Sequence, residues 1–277
     1  MRQHRILMLC VGAIMMTGCS DEATTGVNAR PPLAGVRFIN ALADTFDIDI
    51  RPQDGVGPYL ASASRLAYRS ATEHQPTEAG ARHFRMFPQP GPDGADPTVV
   101  SQVLVDTTVT FEANVNYTVL VTGSARNNTE KFVVIRDDVG DVPAGSIALR
   151  SINASTGAVS VYVTNATGDA LPATPTFASV APEGASAYIT RTAGNTAARA
   201  ADAGGATVTA SVTGPKAATP PSGSPPSTVF PAGGVDAAGS AFSVIYFPRS
   251  VAGSKAPQST AFQSPALVFF LDKHPPR

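Results

Sequence analysis

The 277-residue chain contains no tryptophan, and its only two cysteines, Cys10 and Cys19, both precede residue 20. A disulfide framework, a thiolate metal site and a cysteine nucleophile are therefore excluded from everything downstream. Histidine is nearly as scarce. Beyond residue 20 only His74, His83 and His274 occur, none at a ligand spacing such as His-x-x-x-His, so no zinc-type site is implied. His74 and His83 fall in one hairpin region and could meet across strands, but exposed strand or turn positions suit all three histidines. The Gly-x-Ser-x-Gly pentapeptide of α/β-type serine hydrolases is missing. Carboxylates such as Glu73 and Glu78 read as solvated turn charges rather than a glycosidase pair. Charge of one sign is also missing, with 20 Lys and Arg against 21 Asp and Glu. That balance provides no basic stripe for nucleic acid and no strong electrostatic docking onto acidic surfaces. Nothing in this inventory calls for a cofactor or for enzymatic turnover.

What the chain does have begins with Met1-Arg2-Gln3-His4-Arg5, a basic opening followed by an apolar run from Ile6 to Met16. This is the layout of a secretory leader. A bilayer-spanning helix needs about 20 apolar residues, and this run is too short. Met16-Thr17-Gly18-Cys19 resembles a bacterial lipobox, with Met16 where Leu is usual. The resemblance implies that residues 1–18 are removed and that Cys19 becomes the lipidated first residue, the alternative being an ordinary signal-peptidase site. Multiple acyl chains suffice for stable membrane attachment. Ser20-Asp21-Glu22-Ala23 lacks Asp directly after the cysteine, a pattern similar to that of envelope lipoproteins sorted to the outer membrane in Gram-negative cells. Residues 19–34, ending in Pro31-Pro32, have no apolar periodicity and read as a flexible tether.

Downstream, β-branched residues punctuated by Gly and Pro, with no long amphipathic helical period, indicate an all-β fold. An internal repeat organises it. Val36-Arg37-Phe38-Ile39-Asn40-Ala41 followed by Phe46-Asp47-Ile48-Asp49-Ile50 returns as Leu149-Arg150-Ser151-Ile152-Asn153-Ala154 followed by Val159-Ser160-Val161-Tyr162-Val163, with identical internal spacing. Asn116-Tyr117-Thr118-Val119-Leu120-Val121 is echoed by Ala241-Phe242-Ser243-Val244-Ile245-Tyr246. Phe132-Val133-Val134-Ile135-Arg136-Asp137 is echoed by Leu267-Val268-Phe269-Phe270-Leu271-Asp272, each a strand closed by an aspartate. Residues 35–142 and 143–277 thus read as two tandem β-sandwich domains of immunoglobulin-like architecture, without the Cys and Trp hallmarks of true immunoglobulin domains. Strands are expected near 36–41, 46–51, 65–70, 81–87, 101–105, 115–122 and 131–136. The Pro-rich stretches Pro88–Pro97 and Gly214–Pro231 are expected at equivalent places in the two copies. The Ala-rich segment 195–205 has no evident counterpart and reads as a loop or short helix.

The repeated opening resembles the domain of unknown function 4397 family, whose domains begin Val-Arg-aliphatic-aliphatic-Asn/His-Ala-Ser-Pro-Asp and continue with a strand like Val-Asp-Val-Tyr-Val. Asp47-Ile48-Asp49 and Ser160-Val161-Tyr162 stand in that following strand, and Asn116-Tyr117-Thr118-Val119 is similar to the family's later strand. Leu42-Ala43-Asp44 replaces Ser-Pro-Asp, a departure confined to a turn. The resemblance implies a secreted or surface-attached bacterial protein and assigns no activity.

Few residues remain as site candidates. Asp137, Asp138 and Asp141 cluster at the junction of the copies, where an oxygen-rich loop could hold Ca²⁺, the alternative being a polar linker turn. Asp47 and Asp49 share one strand face, expected to be solvated. Asn127-Asn128-Thr129 and Asn153-Ala154-Ser155 match the glycosylation sequon but read as chance in a lipidated bacterial protein. The expected role is a non-enzymatic envelope lipoprotein, held on a membrane through lipid on Cys19 and meeting an envelope protein or glycan partner. In the carbohydrate-binding variant of this reading, Tyr59, Tyr68, Tyr162 and Tyr188 would form the contact platform.

Overall fold

Sixteen strands and one short 3₁₀ turn, Thr260–Phe262, make up the regular structure, with no α-helix among the described residues. The structure, a computed structural model, describes residues 31–54, 59–89, 102–202, 205, 207–217 and 231–276. The leader, Cys19, most of the tether and the greater part of both Pro-rich stretches lie outside the described residues.

The first eight strands are β1 (Leu33–Asn40), β2 (Ile48–Pro52), β3 (Ala63–Leu66), β4 (Gln75–Glu78), β5 (Gly80–Pro88), β6 (Val105–Phe111), β7 (Asn116–Thr122) and β8 (Lys131–Arg136). They form sheets of order β4-β1-β7-β8 and β3-β2-β5-β6. The second eight are β9 (Ser146–Asn153), β10 (Val159–Thr164), β11 (Phe177–Val180), β12 (Ile189–Thr192), β13 (Ala197–Asp202), β14 (Val208–Thr213), β15 (Ala241–Phe247) and β16 (Ala266–Lys273). Their sheets run β12-β9-β15-β16 and β11-β10-β13-β14. Adding eight to each strand number of the first set gives the second. The pairs β1–β7 and β9–β15 are parallel, and the other pairings are antiparallel. The expected all-β sandwich architecture is present twice, with eight strands per sandwich and an order of its own: the first strand lies inside its sheet, between the fourth and the seventh.

Alternation along β1 explains the placement of both cores, because successive side chains leave a strand on opposite faces. Val36 and Phe38 enter the first sandwich, where Phe38 meets Phe84 edge-to-face at 5.6 Å and Phe84 meets Phe111 at 6.2 Å. Ile147 and Leu149 on β9 likewise enter the second sandwich beside Phe242 and Val244. The opposite face of β1 carries Arg37 and Ile39, and that of β9 carries Arg150 and Ile152. These faces turn toward each other. Ile39, Leu120, Ile152 and Ile245 join Ala41, Ala154, Tyr68 and Phe247 in a third buried cluster shared by both sandwiches. β1, β7, β9 and β15 are therefore covered on both sides, which is why they read as nearly unbroken apolar runs.

Several expectations are corrected. The Ala-rich segment is strand β13, and β5 is its counterpart. Ala198 and Ala200 pack into the second core while Ala197 and Ala201 are buried on the other face, so tertiary packing overrides alanine's helical preference. Each sandwich has a fourth strand that sequence patterning missed, because β4 and β12 are four residues long and mostly polar. The sixth strand lies at 105–111 rather than 101–105. The two Pro-rich stretches are not equivalent: one joins β5 to β6 and the other joins β14 to β15. Asp49 is buried rather than solvated, and its carboxylate accepts from Arg65 N and Arg51 Nη2, each at 2.8 Å. Arg65 has a left-handed backbone, φ 51°, at the bulge between β2 and β3. In the second sandwich Ser160 Oγ accepts from Ser179 N at 3.2 Å, and Ser179 has φ 47°.

The shared third cluster makes the sandwiches one cooperative unit. Ile152→Ala should lower stability by about 2–5 kcal/mol while calorimetry of the full chain still shows a single unfolding transition. Two separated transitions would refute the coupling.

Candidate functional site

Between the two sandwiches the side chains are stacked in layers, each two residues further along the four inward strands. The first layer is ionic. On β1, Arg37 Nε donates to Thr118 Oγ1 on the neighbouring β7 at 2.8 Å, Nη1 donates to Leu271 O at 3.0 Å, and Nη2 pairs with Asp272 at the end of β16. On β9, Arg150 Nε donates to Ser243 Oγ on β15 at 2.7 Å, Nη1 donates to Arg136 O at 3.0 Å, and Nη2 pairs with Asp137 just after β8. Each arginine thus uses one edge on its own sandwich and the other on its neighbour. Thr118 Oγ1 donates onward to Asp137 at 2.9 Å, and Ser243 Oγ donates to Asp272 at 2.8 Å. The outer edge of each aspartate has one more partner: His74 Nε2 lies 2.9 Å from Asp137, and the Tyr188 hydroxyl donates to Asp272 at 2.8 Å. His74 and Tyr188 hold equivalent positions, immediately before β4 and β12.

All four charged side chains are buried, with Arg37 and Arg150 each 2 % exposed. Burial alone would raise the Asp137 carboxyl, but the His74 hydrogen bond and the Arg150 and Arg37 charges outweigh it and hold the group at about 2. Burial alone would lower Arg150, and the Asp137 charge outweighs it, so the guanidinium stays charged. Burial, reinforced by the Asp272 charge, raises the Tyr188 phenol and keeps its proton available for donation. The Arg150 guanidinium lies 4.7 Å from the centre of the Tyr188 ring, a favourable cation–π contact.

Past this layer come the apolar cluster and then, at the far end of the same strands, an open cleft of about 480 Å³ where loops of both sandwiches meet. The β1–β2 loop contributes Ala43 and Asp44, the β7–β8 loop contributes Arg126 and Asn127, the β9–β10 turn contributes Ser155 and Thr156, and the β15–β16 connection contributes Arg249. An adjoining cavity of about 300 Å³ shares Asp44 and Arg126 and adds Phe46, Leu104 and Lys255. Their combined volume lies within the range of ligand clefts.

The β15–β16 connection is much longer than its β7–β8 counterpart and is fastened to the first sandwich. Tyr68 OH donates to Pro248 O, and Arg69 Nη2 donates to Pro248 O at 2.7 Å and to Ser264 O at 2.6 Å. Arg126 Nη1 donates to Ala252 O at 2.7 Å. Gly253, φ +149°, lets that guanidinium lie against the backbone, since a Cβ there would stand 2.2 Å from Arg126 Nη2. The β7–β8 loop is folded over Asp44, whose carboxylate accepts from Ser124 Oγ at 2.6 Å, Ala125 N at 3.1 Å and Arg126 N at 3.2 Å.

The sequence candidates are dispersed. Asp137 belongs to the ionic layer, whereas Asp138 and Asp141 are exposed, so the three do not converge on a cation. Among the described residues no three His, Cys, Asp or Glu side chains gather in a metal-like group. His74 and His83 do not meet: His83 pairs with Asp106 on the outer face of the first sandwich. Glu78 pairs with Arg82 at 3.2 Å, and Glu73 is exposed. Tyr68 and Tyr162 are buried and Tyr59 and Tyr188 are half-buried, so the four do not form an exposed aromatic platform. Asn153 is fully buried, donating to Val180 O at 3.0 Å, and cannot accept a glycan. Sequence reasoning missed Arg37, Arg150, Thr118 and Ser243 as a group. The available signal was their recurrence in register, together with the aspartate closing each last strand.

The model of the family described as "Domain of unknown function (DUF4397)" matches residues 34–164, which hold the first sandwich and strands β9 and β10 of the second. No curated protein matches the chain. Among solved structures, one titled "Alpha-glucan binding by a streptococcal virulence factor" is similar at 11 % identity and TM-score 0.21, over 65 % of this chain and 88 % of that one. A leucine-rich repeat protein from Bacteroides thetaiotaomicron is similar at 14 % identity and TM-score 0.19, over 66 % of this chain and 24 % of its own.

Two measurements test the ionic layer. Arg150→Ala leaves Asp137 buried without its counter-charge and should cost about 3–5 kcal/mol in denaturant unfolding, whereas Arg150→Met with Asp137→Leu should recover much of that loss. Asp137 sits at about 2 in the folded protein against an ordinary 3.8. Its stabilisation is therefore complete above pH 3.8 and is lost as pH falls toward 2, about 2 kcal/mol in all. The Asp137→Asn variant should lack that component of the acid slope, and an unchanged slope would show that Asp137 is not its source.

Proposed function

We propose that this protein is a non-enzymatic envelope lipoprotein that displays two coupled β-sandwiches and receives a ligand in the cleft where their loops meet. The observation that carries this reading is the convergence of three loops and a turn, drawn from both sandwiches, on one open end of the junction. Binding residues commonly sit on loops positioned by a rigid scaffold. The buried ionisable groups of the junction are engaged with one another and have no substrate-facing role. The lipobox-like Met16-Thr17-Gly18-Cys19 supports attachment through lipid on Cys19, at the outer membrane in a Gram-negative cell, with the residues between Cys19 and β1 as the tether. The partner is then an envelope protein or glycan presented near the membrane.

The anchor is tested by growing cells that express the full chain with a clickable fatty-acid analogue. The wild-type protein should carry the label and the Cys19→Ala variant should lose it. A variant that keeps the label would overturn the attachment.

A further inference from the structure

The cleft is unevenly charged. Its carboxylate, Asp44, is only 4 % exposed and already accepts three hydrogen bonds from the loop above it. Glu183, which hydrogen-bonds Thr122 on the cleft wall, is neutralised by Lys131 at 2.7 Å. The cations are far less committed. Arg249 is exposed, lines the larger cavity and has no hydrogen bond or ion pair among the described residues. Lys255 stands in the same condition in the adjoining cavity. Arg126 borders both cavities and spends only Nη1, on Ala252 O, which leaves the rest of its fork available.

We propose that the two adjoining cavities bind an acidic oligosaccharide through its carboxylates. The proposal rests on the reading of the cleft as the ligand site and names the ligand's chemistry. A guanidinium fork matches a carboxylate with two parallel hydrogen bonds, and Arg249 and Arg126 place such forks in successive cavities. Around them stand the Thr156 hydroxyl and the Asn127 amide, which both donate and accept and so suit the hydroxyls of a sugar ring, and Ser155 Oγ, which donates to Asn153 Oδ1 at 2.7 Å and keeps its lone pairs for a ligand hydroxyl. Phe46 and Leu104 form an apolar wall in the smaller cavity, where the C–H face of a ring can lie. A neutral glucan offers these guanidinium groups no counter-charge, whereas a carboxylate adds charge-assisted hydrogen bonds, so specificity follows charge.

The test is calorimetric titration of the detergent-solubilised full chain with oligogalacturonate, with a neutral malto-oligosaccharide of equal length, and with inorganic phosphate. The proposal expects oligogalacturonate to bind, with affinity falling at least tenfold as salt rises from 50 to 500 mM, and neither of the other probes to match it. Arg249→Ala should weaken binding about tenfold with the melting temperature unchanged, since that side chain holds nothing in the fold. Arg249→Lys should recover only part, because an ammonium keeps the charge without the fork. Equal binding of the neutral sugar, tighter binding of phosphate than of the uronate, or full binding by Arg249→Ala would each overturn it. Failure here with Cys19 labelling intact removes only the ligand assignment. A Cys19→Ala variant that keeps the label while oligogalacturonate binding is intact removes only the anchor.

Discussion

Two buried arginine–aspartate pairs, each spanning the two sandwiches, set the relation between the halves of this molecule. A buried charge without a partner is strongly unfavourable, while a matched and fully hydrogen-bonded pair is roughly neutral for stability against an apolar replacement. Such a layer therefore contributes little net stability but strongly disfavours any other alignment. If the sandwiches slid by one residue, Arg37 and Arg150 would lose Asp272 and Asp137 and leave four charges buried without partners. The register of the junction is held by that penalty, and the apolar cluster beyond it supplies the favourable burial.

From this constraint the remainder follows in order along the strands. With Arg37 and Arg150 locked, Ile39 and Ile152 meet in the next layer, and the ends of the same strands bring their loops together. The long β15–β16 connection closes over the first sandwich through Arg69, Tyr68 and Arg126. In the opposite direction, Glu183 reaches Thr122 and Lys131. Arg69 and Glu183 hold equivalent positions in the two sandwiches, and both have left-handed backbones. Among the described residues the symmetry is broken where side chains differ, as with His74 against Tyr188, and where the β15–β16 connection is lengthened. The lengthened connection supplies one wall of the cleft through Pro248, Arg249 and Val251.

Much of the architecture was legible in the sequence, because the strands buried on both faces carry the repeat in register. β1, β2, β7, β8 and their counterparts β9, β10, β15 and β16 are the strands that the aligned motifs identify. What patterning missed has physical causes. β4 and β12 are short and polar, so they present no period-two signal. β13 is built from alanine, whose local preference is helical and whose small volume is demanded by a strand packed on both faces. Asp49 lies at a bulge, where its carboxylate serves a backbone amide that no alternation rule foresees. The junction was the hardest part to read. Arg37 and Asp272 are 235 residues apart in the chain, and nothing local tells an arginine which aspartate it will meet. The cleft was hidden for a related reason, since Arg126 and Arg249 lie in loops of opposite sandwiches.

That separation in the chain also bears on how the protein is made. As the polypeptide emerges, the first sandwich can complete its own core from β1 to β8 long before β16 exists. Until then its inward sheet carries Ile39 and Leu120 on an open face, together with Arg37 and Asp137, which Thr118 links. Because Asp137 and Asp272 hold equivalent places, the same face of another nascent copy would offer Arg37 an aspartate where Asp272 later stands, so the face is self-complementary during the interval. The aspartate that belongs there arrives on the last strand, and only a complete chain covers its own sticky side.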